Sequence, residues 1–433
     1  MGRRVQTKAI GSDTLATSKE AGLAESSTSQ AAASRTLTVL CLASYFKGVE
    51  FLVECKRQGC RTLLLTSQSL NGAAWPRESL DDIFYVPDEG KTWKLQDVLL
   101  GISHLAKTEV IDRIVPLDDF DVETAATLRE HLRVPGMGDS TARYFRDKLA
   151  MRTKARDEGL PVPEFIQVLN YAMLDEFLQR VPAPWVLKPR SLAGSIGVKK
   201  ISSPDEFWSA VDRLGDQQSF YLLEQYVPGD IFHVDTITYE KELLFSVASK
   251  YGRPPMDVSH EGDIFTTRTL AEGSEDEAAL RELNQRVLQA FGMVRGVSHS
   301  EFIQGRDGKL YFLETAARVG GAHIADLVEA ATGINLWAEW AKVEIAGGKA
   351  AYQVSPVRHD FAGLLISLAR QEHPDTSAYQ DPEIVWRMQK DHHVGLIVRA
   401  ANPARIEQLI HDYAQRFKQD FFASQPPRDK PTS

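Results

Sequence analysis

Two acids, Glu301 and Glu314, carry the clearest chemical signal in the chain. They sit in the stretch HSEFIQGRDGKLYFLETAA, around Asp307-Gly308, a strong two-residue hairpin turn. With that dipeptide at the centre of the loop, residue 306 pairs with 309 and every opposing pair sums to 615. Glu301 then faces Glu314 across the ladder. Directly opposed Cβ atoms stand ~4.5–5.5 Å apart, where like charges repel. A divalent cation offsets that repulsion, and magnesium takes carboxylate and phosphate oxygens while keeping several waters. The other way to hold such a pair is a hydrated sheet face. Glu301 alternates with Phe302, and Glu314 with Leu313, so the acids belong opposite an apolar face.

Cationic and small residues elsewhere could complete a phosphate site. Lys188 ends the strand-like PWVLKP, and the Gly/Ser-rich loop Ser191–Gly197, with Gly194 and Ser195 inside it, follows. Phosphates need a fixed cation and backbone N–H donors that small residues leave approachable. A plain surface loop reads the same way, and the GxxxxGK[ST] phosphate loop is absent. Lys148 opens a helix, mildly against the helix dipole. Glu224, Gln225, Tyr226 and Val227 end a strand before Pro228-Gly229, where backbone groups can be presented to a purine ring. Arg318 precedes Gly320-Gly321 and a helix start, which favours anions. It could clamp a carboxylate or phosphate oxygen in bidentate fashion, or pair with Glu314.

These residues need a scaffold, and the apolar pattern supplies one. LTVLCLA (37–43) reads as a buried parallel strand, KGVEFLVECKRQG as a helix ending at Gly59, and RTLLLTS as the next strand. RIVPLDD (113–119) is a further strand, followed by a helix over 122–132. Residues 36–145 therefore predict a small doubly wound α/β domain, Rossmann-like but without GxGxxG. Residues 146–228 form a small lobe in which Ser203, Pro204 and Glu206 start a helix. Residues 229–354 form a larger lobe with the acidic hairpin. Residues 355–422 read as a C-terminal α/β lobe. A Ser/Ala/Thr-rich stretch at 1–34 predicts a disordered tail, and 423–433 a second one.

Composition narrows the function classes. The chain has 433 residues, 43% hydrophobic and 25% charged, enough for several packed domains. A net charge of −9 opposes a dedicated nucleic-acid binder. No apolar run reaches the ~18 residues of a bilayer span. Cys41, Cys55 and Cys60 form no zinc spacing, which predicts reduced core thiols in a cytoplasmic protein.

In order and spacing, Asp147-Lys148 with GLPVPEF, VLKP with its Gly/Ser loop, LLEQYVPGD, and HSEFIQGRDGKLYFLETAAR resemble the ATP-grasp superfamily, especially its carboxylate–amine ligases. The resemblance covers about residues 36–420. It implies an ATP-grasp fold behind an N-terminal Rossmann-like domain. It also implies bound ATP with magnesium, or manganese in its place. By this resemblance Lys148 and Lys188 contact phosphates, and Ser191–Gly197 is a flap above them. Glu224 lies near the adenine amino group, and Gln225–Val227 read the adenine edge. Glu301 and Glu314 hold the metal, and Arg318 stabilises an acyl phosphate or its tetrahedral successor. His260 and Glu261 are weaker candidates for the acceptor pocket or a general base.

The implied reaction activates a carboxylate as an acyl phosphate that an amine then attacks. Small-molecule acids and amines, amino acids among them, are the expected partners, and a homodimer follows the family's habit. A biotin-carboxylase-like enzyme and a non-catalytic ATP-binding protein share the fold; the chain has no Met-Lys-Met carrier segment. The sequence departs from the pattern twice. Ala316 stands where a Glu-x-Asn amide is usual. Ile231 stands where an acid often meets the ribose, and His233, two residues on, could take that contact.

Overall fold

Period-two alternation explains the first layer. β1 (Thr38–Ala43) is buried along its whole length, because both faces are covered. Val39, Cys41 and Ala43 pack with Phe51 and Leu52 of the helix Val49–Arg57 and with Trp340 of the helix Leu336–Ala346. Leu40 and Leu42 pack on the other side with Val98, Ile102, Ala125 and Leu128. Each of the larger side chains among them, Val, Leu, Ile or Phe, stabilises the fold by roughly 1.5–3 kcal/mol. β2 (Arg61–Ser67), β3 (Asp82–Val86) and β4 (Arg113–Pro116) complete a parallel sheet in the order β3-β2-β1-β4. The chain reverses direction across the sheet between β1 and β4, where such sheets bind ligands at their carboxyl ends. Asp118 and Asp119 follow β4 at that point. The three cysteines are free and buried, and burial pushes all three thiols up, Cys60 to about 11.

The computed structural model describes residues 35–88, 92–194, 196–348 and 350–424; the side chains of 259 and 260 also fall outside it. The tail expected at 1–34, most of that expected at 423–433, and Ser195 lie outside the described residues. Those from Thr36 onward form one compact unit.

A second sheet has the order β5-β8-β6-β7, from β5 (Phe165–Gln167), β6 (Trp185–Pro189), β7 (Lys199–Ile201) and β8 (Tyr221–Gln225). Trp185, Leu187 and Leu223 bury one face against two helices through Phe177 and Phe207. Val186, Lys188, Leu222 and Glu224 share the other face. The helix Pro204–Leu214 starts as expected, with Ser203 accepting from the Glu206 N–H and proline in the first turn.

The third sheet is antiparallel and has eight strands. β9 (Gly229–Tyr239), β10 (Glu242–Tyr251), β11 (Phe265–Thr269), β12 (Gly296–Gly305), β13 (Leu310–Ala316), β14 (Phe361–Leu368), β15 (Ile384–Arg387) and β16 (His393–Ala400) run in the order β13-β12-β9-β10-β11-β14-β16-β15. Residues 355–422 therefore extend this sheet with three strands and cover it with the helix Pro403–Asp420. They do not form a sheet of their own. Phe232, Val234, Phe302 and Phe312 pack one face against the helix Glu275–Ala290.

The hairpin β12–β13 pairs Glu301 with Glu314 as expected, although the turn is not the expected one. Next to the turn the register is 302↔312, 303↔311 and 304↔310, which sums to 614. The Gly305 N–H reaches the Lys309 carbonyl at 2.9 Å, so the loop is three residues long and closes on Gly308 at φ 78°. A bulge between Phe302 and Glu301 then restores the pairing of the acids.

Candidate active site

On the face opposite the phenylalanines, β9, β12 and β13 set residues abreast in two rows. His233, Glu301 and Glu314 form one row, and Asp235, His299 and Ala316 the next. The helix Lys148–Asp157 runs beside the edge strand β13. Its Met151 and Ala155 enter the core, while Lys148 and Arg152, one turn apart, meet the acids. Asp147 caps this helix by accepting from the Leu149 N–H at 2.9 Å.

Lys148 Nζ lies 2.9 Å from Glu314 Oε2 and donates to the Leu192 carbonyl at 2.7 Å. It thereby ties the small-residue loop to the acid pair. Lys188 donates to Glu224 in a short ion pair, and Arg152 Nε donates to the other Glu224 oxygen at 3.0 Å. Arg152 also donates to the Leu313 carbonyl, at the hairpin bulge. Burial is the strongest influence on Lys188 and, with Arg152, pulls it down to about 8 against the opposing pull of Glu224. Burial disfavours the charges of Glu224 and Glu314, yet the surrounding cations hold both below the usual carboxylate range.

Two cavities meet at the acid pair. The first runs between the second and third sheets. Val186, Val198, Ile231, Ile303 and Leu313 give it apolar walls, and Gln225, Tyr226 and Val227 lie along its edge. The Gln225 and Tyr226 N–H groups are taken by the Glu164 and Pro184 carbonyls. Leu192, Gly194 and Ile196 bring the loop over it; Gly194 and Gly197 have φ near +70°, and Gly197 packs on Pro189, where a Cβ would lie 2.9 Å from a ring carbon. Ser191 begins that loop without lining either cavity. The second cavity, about 230 Å³, adds Asp119, Arg146, Tyr251, His299 and Arg318. Both include Lys148, Gly194, Pro255, Glu301 and Glu314.

The second cavity holds two buried polar atoms without a hydrogen-bond partner, Asp119 Oδ1 and Arg318 Nε. Asp119 Oδ2 is held by Arg146 at 3.2 Å. Arg318 donates to the Val319 carbonyl at 2.8 Å and makes no ion pair with Glu314.

Three expected roles change. His233 is fully buried and lines neither cavity, so it is not placed to meet a ribose. Asp235 only accepts, so His233 Nδ1–H donates to its Oδ2 at 2.7 Å, and Nε2 accepts from Thr267 at 2.8 Å. Glu224 has both oxygens held by cations, which makes it the anchor of Lys188 rather than a free acceptor for an adenine amino group. Glu261 is 63% exposed and pairs with Arg253, away from both cavities. The His260 side chain lies outside the described residues, although Pro254 to Met256, just before it, line the first cavity.

Several residues were missed. Arg152 follows Lys148 by four positions on one helix, a spacing that was available to read. Asp235 lies two residues beyond His233 and His299 two before Glu301, on the same faces. His299 Nδ1–H donates to Asp235 Oδ1 at 2.9 Å, and its Nε2 stands 3.7 Å from Glu301 Oε1. Burial opposes its charge, but Asp235 and Glu301 hold it up to about 9. Tyr251 donates to Glu301 at 2.9 Å.

The ATP-grasp domain family model matches residues 181–326, the span from the second sheet through the acidic hairpin. Residues 181–326 of the chain thus carry an ATP-grasp domain. It is 29% identical over 263 residues to an L-arginine-specific L-amino acid ligase of Bacillus subtilis, covering 59% of this chain and 62% of that one. It is 24% identical over 211 residues to a D-alanine–D-alanine ligase of Neisseria gonorrhoeae, covering 47% and 69%. An L-amino acid ligase structure from Bacillus licheniformis superposes with a TM-score of 0.71 at 17% identity, covering 90% of this chain and all of that one. The fold is thus the ATP-grasp fold expected from the motifs. The chain spans about three fifths of the length of the first of these relatives. No helix among the described residues is long and apolar enough to cross a membrane.

Proposed function

We propose that this ATP-grasp protein is an ATP-dependent carboxylate–amine ligase that activates an α-amino acid. The observation that carries this reading is the pair of unpartnered buried atoms in the second cavity. A buried carboxylate oxygen and a buried guanidinium nitrogen left unpaired are costly, by roughly 1–3 kcal/mol or more each. An α-amino acid satisfies both, its ammonium at Asp119 and its carboxylate at Arg318, beside the acid pair.

ATP lies in the first cavity, with its base between the apolar walls and its phosphates toward Lys148 and Lys188. The Glu301–Glu314 pair, two opposed oxygen donors next to both lysines, fits a divalent cation such as magnesium, or manganese. When bound, that ion neutralises charge on the β- and γ-phosphates. A carboxylate oxygen of the amino acid attacks the γ-phosphorus, the bond to the β-phosphate oxygen breaks, and ADP leaves. An amine then attacks the acyl carbon, loses a proton, and expels phosphate. Arg318 faces the oxygens that gain charge in both steps, a preorganised donor already desolvated. L-amino acid ligase relatives and the built-in site for both ends of a zwitterion support amino acids as the substrate class.

Phosphate release over a panel tests this. The panel contains amino acids alone and in pairs, their des-amino counterparts, simple amines, and bicarbonate with biotin. Turnover should require an amino acid as the activated acid and an amine as acceptor. Equal turnover with des-amino acids, or turnover with bicarbonate alone, refutes the reading.

A further inference from the structure

Ala316 leaves a gap where the family pattern has an amide, and His299 is the residue directly across the ladder from it. The imidazole has one nitrogen committed and one aimed into the site. Nδ1–H is held by Asp235 at 2.9 Å, and Nε2 points to Glu301 Oε1 at 3.7 Å. A carboxylate on the far nitrogen is the usual support of a metal-bound histidine, because it fixes the ring and its tautomer. Asp235 is itself held by His233 at 2.7 Å, and His233 by Thr267, so the support is rigid. Gly320 presses on the same pair. A Cβ there would lie 2.8 Å from Asp235 Oδ1 and 3.0 Å from His299 Nδ1.

We infer that His299 Nε2 is a third protein ligand of the divalent cation held by Glu301 and Glu314, in the place of the absent amide at 316. This rests on reading the acid pair as the cation site of bound nucleotide. Two ligand atoms on one octahedral cation with ~2.1 Å bonds stand ~3.0 Å apart when adjacent and ~4.2 Å when opposite. The observed 3.7 Å matches neither spacing, so the imidazole and the Glu301 carboxylate must shift by about half an ångström to close round the ion.

The buried trio His233, Asp235 and His299 also brings three potential ligands together. Its facing atoms are already spent on one another: both Asp235 oxygens accept from the two imidazoles, and His233 Nε2 is taken by Thr267. That trio is a support for His299 and not a second cation site. The arriving cation displaces a proton only from Nε2.

An imidazole ligand has a chemical consequence. Carboxylates and water suit magnesium, whereas imidazole suits later, softer cations. The site should therefore favour manganese over magnesium more strongly than an all-oxygen site does.

The test uses the whole protein with Mn²⁺ and ADP. Pulsed electron paramagnetic resonance on protein labelled with ¹⁵N-histidine reads any nitrogen bound to manganese, independent of turnover. A directly bound ¹⁵N coupling that disappears in His299→Ala is the expected result. Manganese binding with no histidine coupling overturns the ligand assignment and leaves the acid-pair site standing. No manganese binding by the wild-type protein overturns both.

Isothermal titration adds a second readout. Asp235→Asn, which weakens the support without touching the ligand, should lower manganese affinity by about tenfold or more. The double variant His299→Ala, Ala316→Asn should restore affinity for magnesium relative to manganese. An unchanged ratio in that variant speaks against His299 as ligand.

Discussion

Arg152 offers the most revealing single substitution, because its loss should weaken the fold while widening the pH range of nucleotide binding. Its guanidinium is fully buried, shares the Glu224 carboxylate with Lys188, and holds the Leu313 carbonyl at the hairpin bulge. Arg152→Met keeps most of the volume and removes the charge. Breaking a buried ion pair from one side costs ~3–5 kcal/mol. Glu224 keeps Lys188, so the lower end applies, about 3 kcal/mol. That is survivable within a net stability of ~5–15 kcal/mol.

The second effect runs the other way. Lys188 offers charge to phosphates only when protonated, and it is pulled down from 10.5 to about 8. Above pH 8, ATP affinity should therefore fall by about tenfold per pH unit in the wild-type protein. Arg152 is one cause of the low value, so removing this like charge should move the limit upward by roughly one unit. Stability has the opposite sign. Between pH 8 and 10.5 the unfolded chain holds the Lys188 proton more tightly than the folded chain. The penalty for burying charged Lys188 is thus present below pH 8 and is relieved as pH rises. Urea melts and ATP titrations from pH 7 to 10 measure both quantities. An alkaline limit in Arg152→Met that is equal to or below the wild-type limit refutes the reasoning, whatever the stability does.

Asp119→Asn should lower kcat/KM for the activated amino acid by roughly 10–100-fold, the loss of one charge-assisted hydrogen bond. ATP affinity, measured by titration, should be unchanged. Glu314→Gln should keep the fold, by circular dichroism, and lose about 100-fold or more of metal-dependent phosphate release; normal turnover would sink the metal assignment. Gly320→Ala forces a methyl against Asp235 and Ile324 and should cost ~1–3 kcal/mol in a denaturant melt, with weaker manganese binding beyond that.

Elements with local rules were legible in the chain. Continuous burial of Val39 to Ala43 follows from helices on both faces of a parallel sheet, and Ser203-Pro204 starts a helix by its own chemistry. Lys148, Lys188, Gly194, Glu301, Glu314 and Arg318, though 170 residues apart at the extremes, do converge on two adjoining cavities. What stayed hidden depends on partners distant in sequence. Asp235 and His299 look like the solvated side of alternating strands, and only the cover over that face makes them a buried ion pair. Asp119 looked like the end of a strand, since nothing near it in the sequence shows that Arg146 takes one oxygen and leaves the other bare. Glu224 looked like a lone acid because its two cations come from another strand and another helix.

The acid pair itself came from a turn rule that was wrong by one residue, and the reason it survived is structural. With the three-residue loop and no bulge, Glu301 would face Leu313. Glu314 would then turn to the face that carries Phe302 and Phe312, since a one-residue slip reverses every side chain. The extra residue on β13 returns Glu314 to the face it shares with Glu301. It also frees the Leu313 carbonyl from the ladder, where Arg152 takes it, and places the Leu313 side chain against the first cavity. The bulge therefore joins the acid pair, the buried guanidinium that tunes Lys188, and the wall of the first cavity. Deleting Leu313 should abolish metal binding and raise the alkaline limit of whatever nucleotide binding persists, as Arg152→Met does, because both changes loosen the same guanidinium.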